Sequence, residues 1–134
     1  MRFLLDTGIM GDFINHRRGV DVRVRAERKN GAIIGTCVPV AGELFFGVEA
    51  SRSRDINFAR LVRALSGITC WPYTANSAKE YGRIAAELKR IGRPMQQIDI
   101  MIAAIACELG NCVVVSSDSD LSAIPGLRVE NWTA

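Results

Sequence analysis

Apolar positions along this chain fall into two patterns. Short unbroken runs occur at 2–5 (RFLL), 31–38 (GAIIGTCV), 67–71 (GITCW), 111–116 (NCVVVS) and 127–132 (LRVENW), and these read as strands. Between them, apolar residues return at helical spacing near 7–15, 20–30, 41–50, 54–66, 75–91 and 97–109. In SAKEYGRIAAELKRIG the helical pattern is clear, and Gly92 followed by Arg93-Pro94 ends it. Gly110 similarly stops the helix before NCVVVS. Strands alternating with helices predict an α/β fold. Its mostly parallel twisted sheet of about five strands would be covered by helices on both sides. The FLL and VVV runs agree, because a strand buried on both faces needs no polar alternation.

One helix interrupts its own pattern. In QQIDIMIAAIACELG (96–110), Asp99 stands between Ile98 and Ile100. A charge among apolar neighbours is costly unless something pairs with it. In parallel sheets, ligands bind beyond the carboxyl ends of the strands, and helix N-termini lie at that same edge. Other acidic residues fall there too. Asp6 follows RFLL directly, and Glu43 lies in VPVAGELFFG where the second strand gives way to a helix. Asp118 comes two residues after VVVS, with Asp120 just beyond, and Asp99 opens its helix.

Each has an ordinary structural reading. Asp6 suits a helix N-cap, and Glu43 and Asp99 suit a helix N-terminal dipole. Asp118 and Asp120 suit a turn, with Ser116 and Ser117 as capping partners. Their convergence on one edge favours a shared pocket. Two carboxylates ~4 Å apart repel by about 4 kcal/mol at an effective dielectric near 20. Such a cluster takes up protons or binds a cation. All-oxygen donors select a hard ion, Mg²⁺ or Mn²⁺, over zinc. That ion would acidify a bound water and neutralise charge on a phosphate, so the expected reaction is metal-assisted phosphodiester hydrolysis.

Composition narrows the setting. At 134 residues the whole chain, 1–134, is expected to be one domain. MRFLLD reaches a charge too early for a secretory signal, and no apolar run is long enough to span a bilayer, so a cytosolic protein is expected. Cys37, Cys70, Cys107 and Cys112 form no C-x-x-C pair and read as buried free thiols. The single histidine, His16, reads as a solvated loop or helix-end residue. The net charge of +3 is unevenly placed. Residues 16–93 hold 15 Lys and Arg against 7 Asp and Glu, whereas residues 94–134 hold Arg128 as their one basic residue. A basic middle with an acidic end suits a polyanion held near a carboxylate cluster, although solvated helix faces explain the same arginines.

The quoted motifs resemble the PIN-domain nucleases and, within them, the VapC toxins of bacterial toxin–antitoxin pairs. LLDTGIM is similar to the family's opening and aligns Asp6. VPVAGELFFG is similar to its E-L-x-x-G segment and aligns Glu43 and Gly47. AAELKRIGRPMQQIDIMIAAIA resembles its D-x-x-I-A-A helix and aligns Asp99. VVVSSDSDLSAIPGLRVENW resembles its T-x-D-x-D-F stretch and aligns Asp118, with Asp120 as a neighbour. The resemblance covers essentially the whole chain. It implies an α/β/α sandwich and a Mg²⁺- or Mn²⁺-dependent endoribonuclease acting on structured RNA such as transfer RNA. It also implies a homodimer inhibited by a VapB-type antitoxin. Asp6 and Asp99 would be the principal metal ligands, Glu43 and Asp118 would complete the acidic quartet, and Thr7 and Ser116 would lie close by. Three positions depart from the family pattern: Gly8 replaces a common Asn, Ser116 a Thr and Leu121 a Phe.

The alternative is a non-catalytic PIN-fold module that binds RNA or protein, which metal-dependent cleavage would exclude. A receiver domain fails because Leu5, not an acid, precedes Asp6 and no lysine follows Lys89. A haloacid-dehalogenase-type phosphatase fails because Gly8 stands where its second Asp belongs. Phe45, Phe46, Trp71 and Tyr73 read as core or interface residues rather than base-stacking platforms. Phe45 and Phe46 point in different helical directions, one of them toward the sheet and the other toward a partner.

Overall fold

Five parallel strands run through the centre of the molecule: β1 (Arg2–Leu5), β2 (Ile33–Cys37), β3 (Thr69–Trp71), β4 (Cys112–Val115) and β5 (Arg128–Glu130). The structure, a computed structural model, describes residues 1–133. Six helices join the strands: α1 (Thr7–Ile14), α2 (Val20–Lys29), α3 (Val38–Glu49), α4 (Arg54–Ser66), α5 (Ala75–Arg90) and α6 (Gln97–Leu109). A 3-10 helix, Ser119–Ala123, lies between β4 and β5.

The strand order is β3-β2-β1-β4-β5. The chain steps outward from β1 to β3, then returns to the other side of β1 for β4 and β5. That reversal makes the β1/β4 junction the switch point where such sheets open a crevice. Leu5 pairs with Val115. The ladder runs one step further, because the Asp6 N–H donates to the Val115 carbonyl at 3.1 Å and the Ser116 N–H to that of Glu130 at 3.0 Å. Asp6 and Ser116 therefore leave the sheet side by side.

Consecutive residues are buried in the central strands, among them Leu4-Leu5 and Val113–Val115, so helices cover both faces of the sheet. Ile9 and Met10 of α1, Ile84 and Leu88 of α5, and Ile102 and Ile105 of α6 fill the layers against it. Each such side chain contributes roughly 1.5–3 kcal/mol by leaving water.

The structure moves several expected boundaries. The run at 31–38 becomes a strand only at Ile33, because Gly31, at φ +87, is spent in a turn. Helix α3 starts at Val38, three residues before the expected 41, since Pro39 in the first turn gives up no needed N–H. The segments at 67–71 and 127–132 contain three strand residues each.

Of the four cysteines, Cys37 and Cys112 are buried and Cys107 is half-buried, but Cys70 is exposed, contrary to expectation. It lies on the edge strand β3, on the opposite side from the buried Trp71. Burial pushes the Cys37 thiol up to about 12 and that of Cys112 to about 11, so neither forms a thiolate at neutral pH. His16 is exposed and contacts Asp21 at 3.1 Å, as a helix-end residue should. Trp71 and Tyr73 pack into or against the core. Phe45 turns toward α4 rather than the sheet and meets the Phe58 ring at 5.6 Å, while Phe46 stands 77% exposed. No helix among the described residues is long and apolar enough to cross a membrane.

Candidate active site

The Asp6 carboxylate caps α1 by accepting from the Ile9 N–H at 2.9 Å. The buried Ser116 side chain, brought alongside by the β1/β4 register, draws the same carboxyl down against its burial. Ser116 also accepts from the Asp118 N–H at 3.0 Å. Asp118 in turn caps the 3-10 helix by accepting from the Asp120 N–H at 2.9 Å. The capping readings of Asp6 and Asp118 are therefore correct as far as they go, and capping is how these carboxylates are aimed.

Glu43 reaches the cluster from the second turn of α3. The Thr7 hydroxyl, at the start of α1, donates to its carboxylate. Asp99 comes from the first turn of α6, where its N–H is bonded to the Gln96 carbonyl at 3.1 Å. Its helix buries Ile100 and then every residue from Ile102 to Ala106. The carboxylate emerges into an open cleft of about 390 Å³ lined by Pro94, Met95, Gln96, Asp99, Asp118 and Asp120.

Electrostatics show that these groups share one field. Burial, followed by the negative charges of Asp118, Asp6, Glu43 and Asp120, pushes Asp99 up from 3.8 to about 6. Asp6 is also raised, chiefly by burial and further by the charges of Asp118 and Asp12, against the pull of the Ser116 side chain and the Ile9 hydrogen bond. Asp99 thus feels, after its own burial, the charge of each of the other carboxylates expected at this edge, while Asp118 and Asp120 line the cleft with it.

That repulsion has a sign in pH. A carboxyl raised on folding stabilises the fold below its ordinary value of 3.8, and the stabilisation fades as pH rises through about 6. In EDTA the protein is expected to melt lower at pH 7 than at pH 5. A carbon-detected NMR titration should find Asp99 titrating near 6. An ordinary carboxylate value would remove the case for a shared pocket.

The donor set tests whether a metal ion fits. Among the described residues, no three Asp, Glu, His or Cys side chains are grouped closely enough to grip an ion together. Mg²⁺ does not require such a cage. It keeps several waters and is bound through one or two carboxylates plus substrate phosphates. An open, all-oxygen cleft with a net excess of negative charge fits a hydrated hard cation of this kind.

A family model described as PIN domain matches residues 3–127. The chain belongs to the PIN-domain family. Its relatives include the tRNA(fMet)-specific endonuclease VapC of Shigella flexneri, 33% identical over 99% of both chains. Ribonuclease VapC2 of Haemophilus influenzae is 31% identical over 98% of each. Among solved structures, VapBC2 from Rickettsia felis, bound to a DNA fragment from its promoter, is similar with a TM-score of 0.91 at 28% identity. That match covers 98% of this chain and 99% of the other.

Within this PIN domain the three departures are easily placed. Leu121 is fully buried in the core, and Ser116 keeps its hydroxyl in use. At Gly8 an added Cβ would lie 3.9 Å from the Asp6 carboxylate, an ordinary contact, so the position is not closed to a side chain at its Cβ. What the sequence reading missed is a cation at the rim. Arg93 faces Asp120 at 3.7 Å, and the signal for it was the G-R-P turn, read as a helix stop and as part of the family-like segment but not as a cation.

Proposed function

We propose that this PIN domain is a Mg²⁺- or Mn²⁺-dependent endoribonuclease, the toxin of a VapBC-type pair, that cuts structured RNA. The observation that carries the reading is Asp99, raised to about 6 by burial and by four neighbouring carboxylates in an open cleft at the switch point. Asp6, Glu43, Asp99 and Asp118 are the acting groups, with Asp6 and Asp99 as principal ligands. Asp120, Thr7 and Ser116 have supporting roles.

A bound Mg²⁺ or Mn²⁺ supplies Lewis-acid charge at the phosphate and an acidified water. The protein's own contribution is positioning. The Ile9 N–H fixes Asp6, Thr7 fixes Glu43, and the 3-10 helix fixes Asp118, so these carboxylates are held before any ligand arrives. Their mutual repulsion disfavours the empty, fully ionised state and so favours a cation. Scattered arginines on the basic middle of the chain suit the RNA backbone.

The named transfer-RNA specificity of the Shigella relative supports transfer RNA as the first substrate to try. The Rickettsia complex supports a VapB-type antitoxin as partner. Exposed Phe46, Ile56 and Val62 on α3 and α4 offer apolar surface for that antitoxin or for a homodimer. An RNA substrate supports the cytosolic setting expected from the sequence.

The deciding experiment incubates purified, antitoxin-free protein with total transfer RNA under Mg²⁺, under Mn²⁺, and in excess EDTA. Discrete fragments with either metal and none in EDTA are expected. Binding without cleavage under both metals would leave the non-catalytic module instead.

A further inference from the structure

A cleft edged by carboxylates repels the phosphate it is meant to cut, so some cation has to hold the RNA at its mouth. Among the ion pairs of the described residues, one reaches this group of acids: Arg93 Nη2 to Asp120 Oδ1 at 3.7 Å. The arginines of the other pairs face carboxylates outside the cleft, such as Arg54 with Glu49 and Arg83 with Glu80.

The backbone around Arg93 is built to hold one position. Helix α5 ends in a Schellman motif, in which the Gly92 N–H donates to the Lys89 carbonyl at 3.2 Å and the Arg93 N–H to that of Leu88 at 2.9 Å. Gly92 sits at φ +69, in the left-handed region that this motif needs. Pro94 then restricts Arg93 to extended backbone from the other side. Pro94 and Asp120 line the carboxylate cleft, so Arg93, next to the one in the chain and paired with the other, stands beside that cleft rather than in it. The sequence G-R-P thus presents one arginine from a rigid helix end.

The ion pair with Asp120 is a weak one. The two side chains are 52% and 64% exposed, and at 3.7 Å the contact is longer than a charge-assisted hydrogen bond. A phosphate offers the guanidinium the two-pronged contact that this single long approach does not. We propose that Arg93 grips a phosphate of the RNA beside the scissile position, and that Asp120 holds the guanidinium at the rim until RNA displaces it. Asp120 on this account masks Arg93 until RNA arrives, rather than holding a metal. The assignment rests on the nuclease reading and adds a specific anchor to it.

The test measures binding of labelled bulk transfer RNA in EDTA across a KCl series, so that neither metal nor turnover enters. Arg93→Ala is expected to weaken binding about tenfold and to flatten the log–log salt slope by about 0.7–0.9, the signature of one lost phosphate contact. Arg93→Lys should keep the slope and recover part of the affinity. Asp120→Asn should tighten binding about threefold in the wild-type background and by clearly less alongside Arg93→Ala, where only its direct repulsion of RNA is relieved. Melting temperatures of all variants serve as the folding control.

An unchanged slope for Arg93→Ala in folded protein would overturn the anchor. Equal tightening by Asp120→Asn with and without Arg93 would overturn the masking role. A wild-type protein that neither binds nor cuts RNA would instead bring down the nuclease reading, and this inference with it.

Discussion

Asp99→Asn is expected to lower RNA cleavage about a thousandfold or more while leaving the fold intact. The substitution keeps the size of the side chain and removes a charge that burial, and then four other carboxylates, disfavour. Two consequences separate it from a damaging mutation. In EDTA at pH 7 the variant should melt higher than wild type, because the folded state no longer holds a repelled carboxylate. Its melting temperature should also fall less than that of wild type between about pH 5 and 7, with Asp6 still contributing. With millimolar Mg²⁺ or Mn²⁺ the order should reverse. Wild type gains RT ln(1 + [L]/Kd), about 2.7 kcal/mol when the metal stands at a hundred times its Kd, and the variant gains little. Cleavage rates and melts with and without metal measure all of this on the same samples. A variant that cleaves at the wild-type rate would show that Asp99 has no part in the chemistry.

The acidic site was legible in the sequence because a parallel sheet converts position in the chain into position in space. Asp6 and Asp118 follow strands, Glu43 and Asp99 lie near the starts of helices, and all of those points share one edge. Element types were legible for the same reason: the FLL and VVV runs and the long α5 pattern each admit a single reading. Strand order was not, since apolar runs do not say which neighbour they pair with. Nor was the start of α3, where V-P-V looks like strand and Pro39 instead opens a helix. Cys70 was misjudged because edge position, which exposes it, is a property of the sheet order. Arg93 was read as part of a stop signal, and its pairing with Asp120 depends on a loop–loop approach that no periodicity records.

Gly35 carries the largest stability effect expected from a single methyl group. In the β2–β3 ladder it pairs with Thr69, and a Cβ built there would lie 2.5 Å from the Thr69 carbonyl oxygen and within 2.9 Å of the Trp71 ring. Neither neighbour yields easily. The carbonyl belongs to the backbone of the ladder, and Trp71 is 8% exposed and packed in the core. The three-residue edge strand β3 would have to move outward, taking its tryptophan with it. Gly35→Ala is therefore expected to destabilise the protein by about 3 kcal/mol, at the upper end for overpacking. For a domain of this size that lowers the melting temperature by about 10 °C. Cleavage measured well below the melt should remain, because the carboxylates leave the sheet from β1 and β4 and from helices beyond this contact. Gly82→Ala supplies the opposite sign. That glycine lies within α5 with open space around its Cβ position, so alanine there should stabilise by about 0.5–1 kcal/mol. Thermal melts of the two variants side by side separate close packing from helix propensity. If Gly35→Ala melted with the wild type, Trp71 could not pack against β2 as the structure places it.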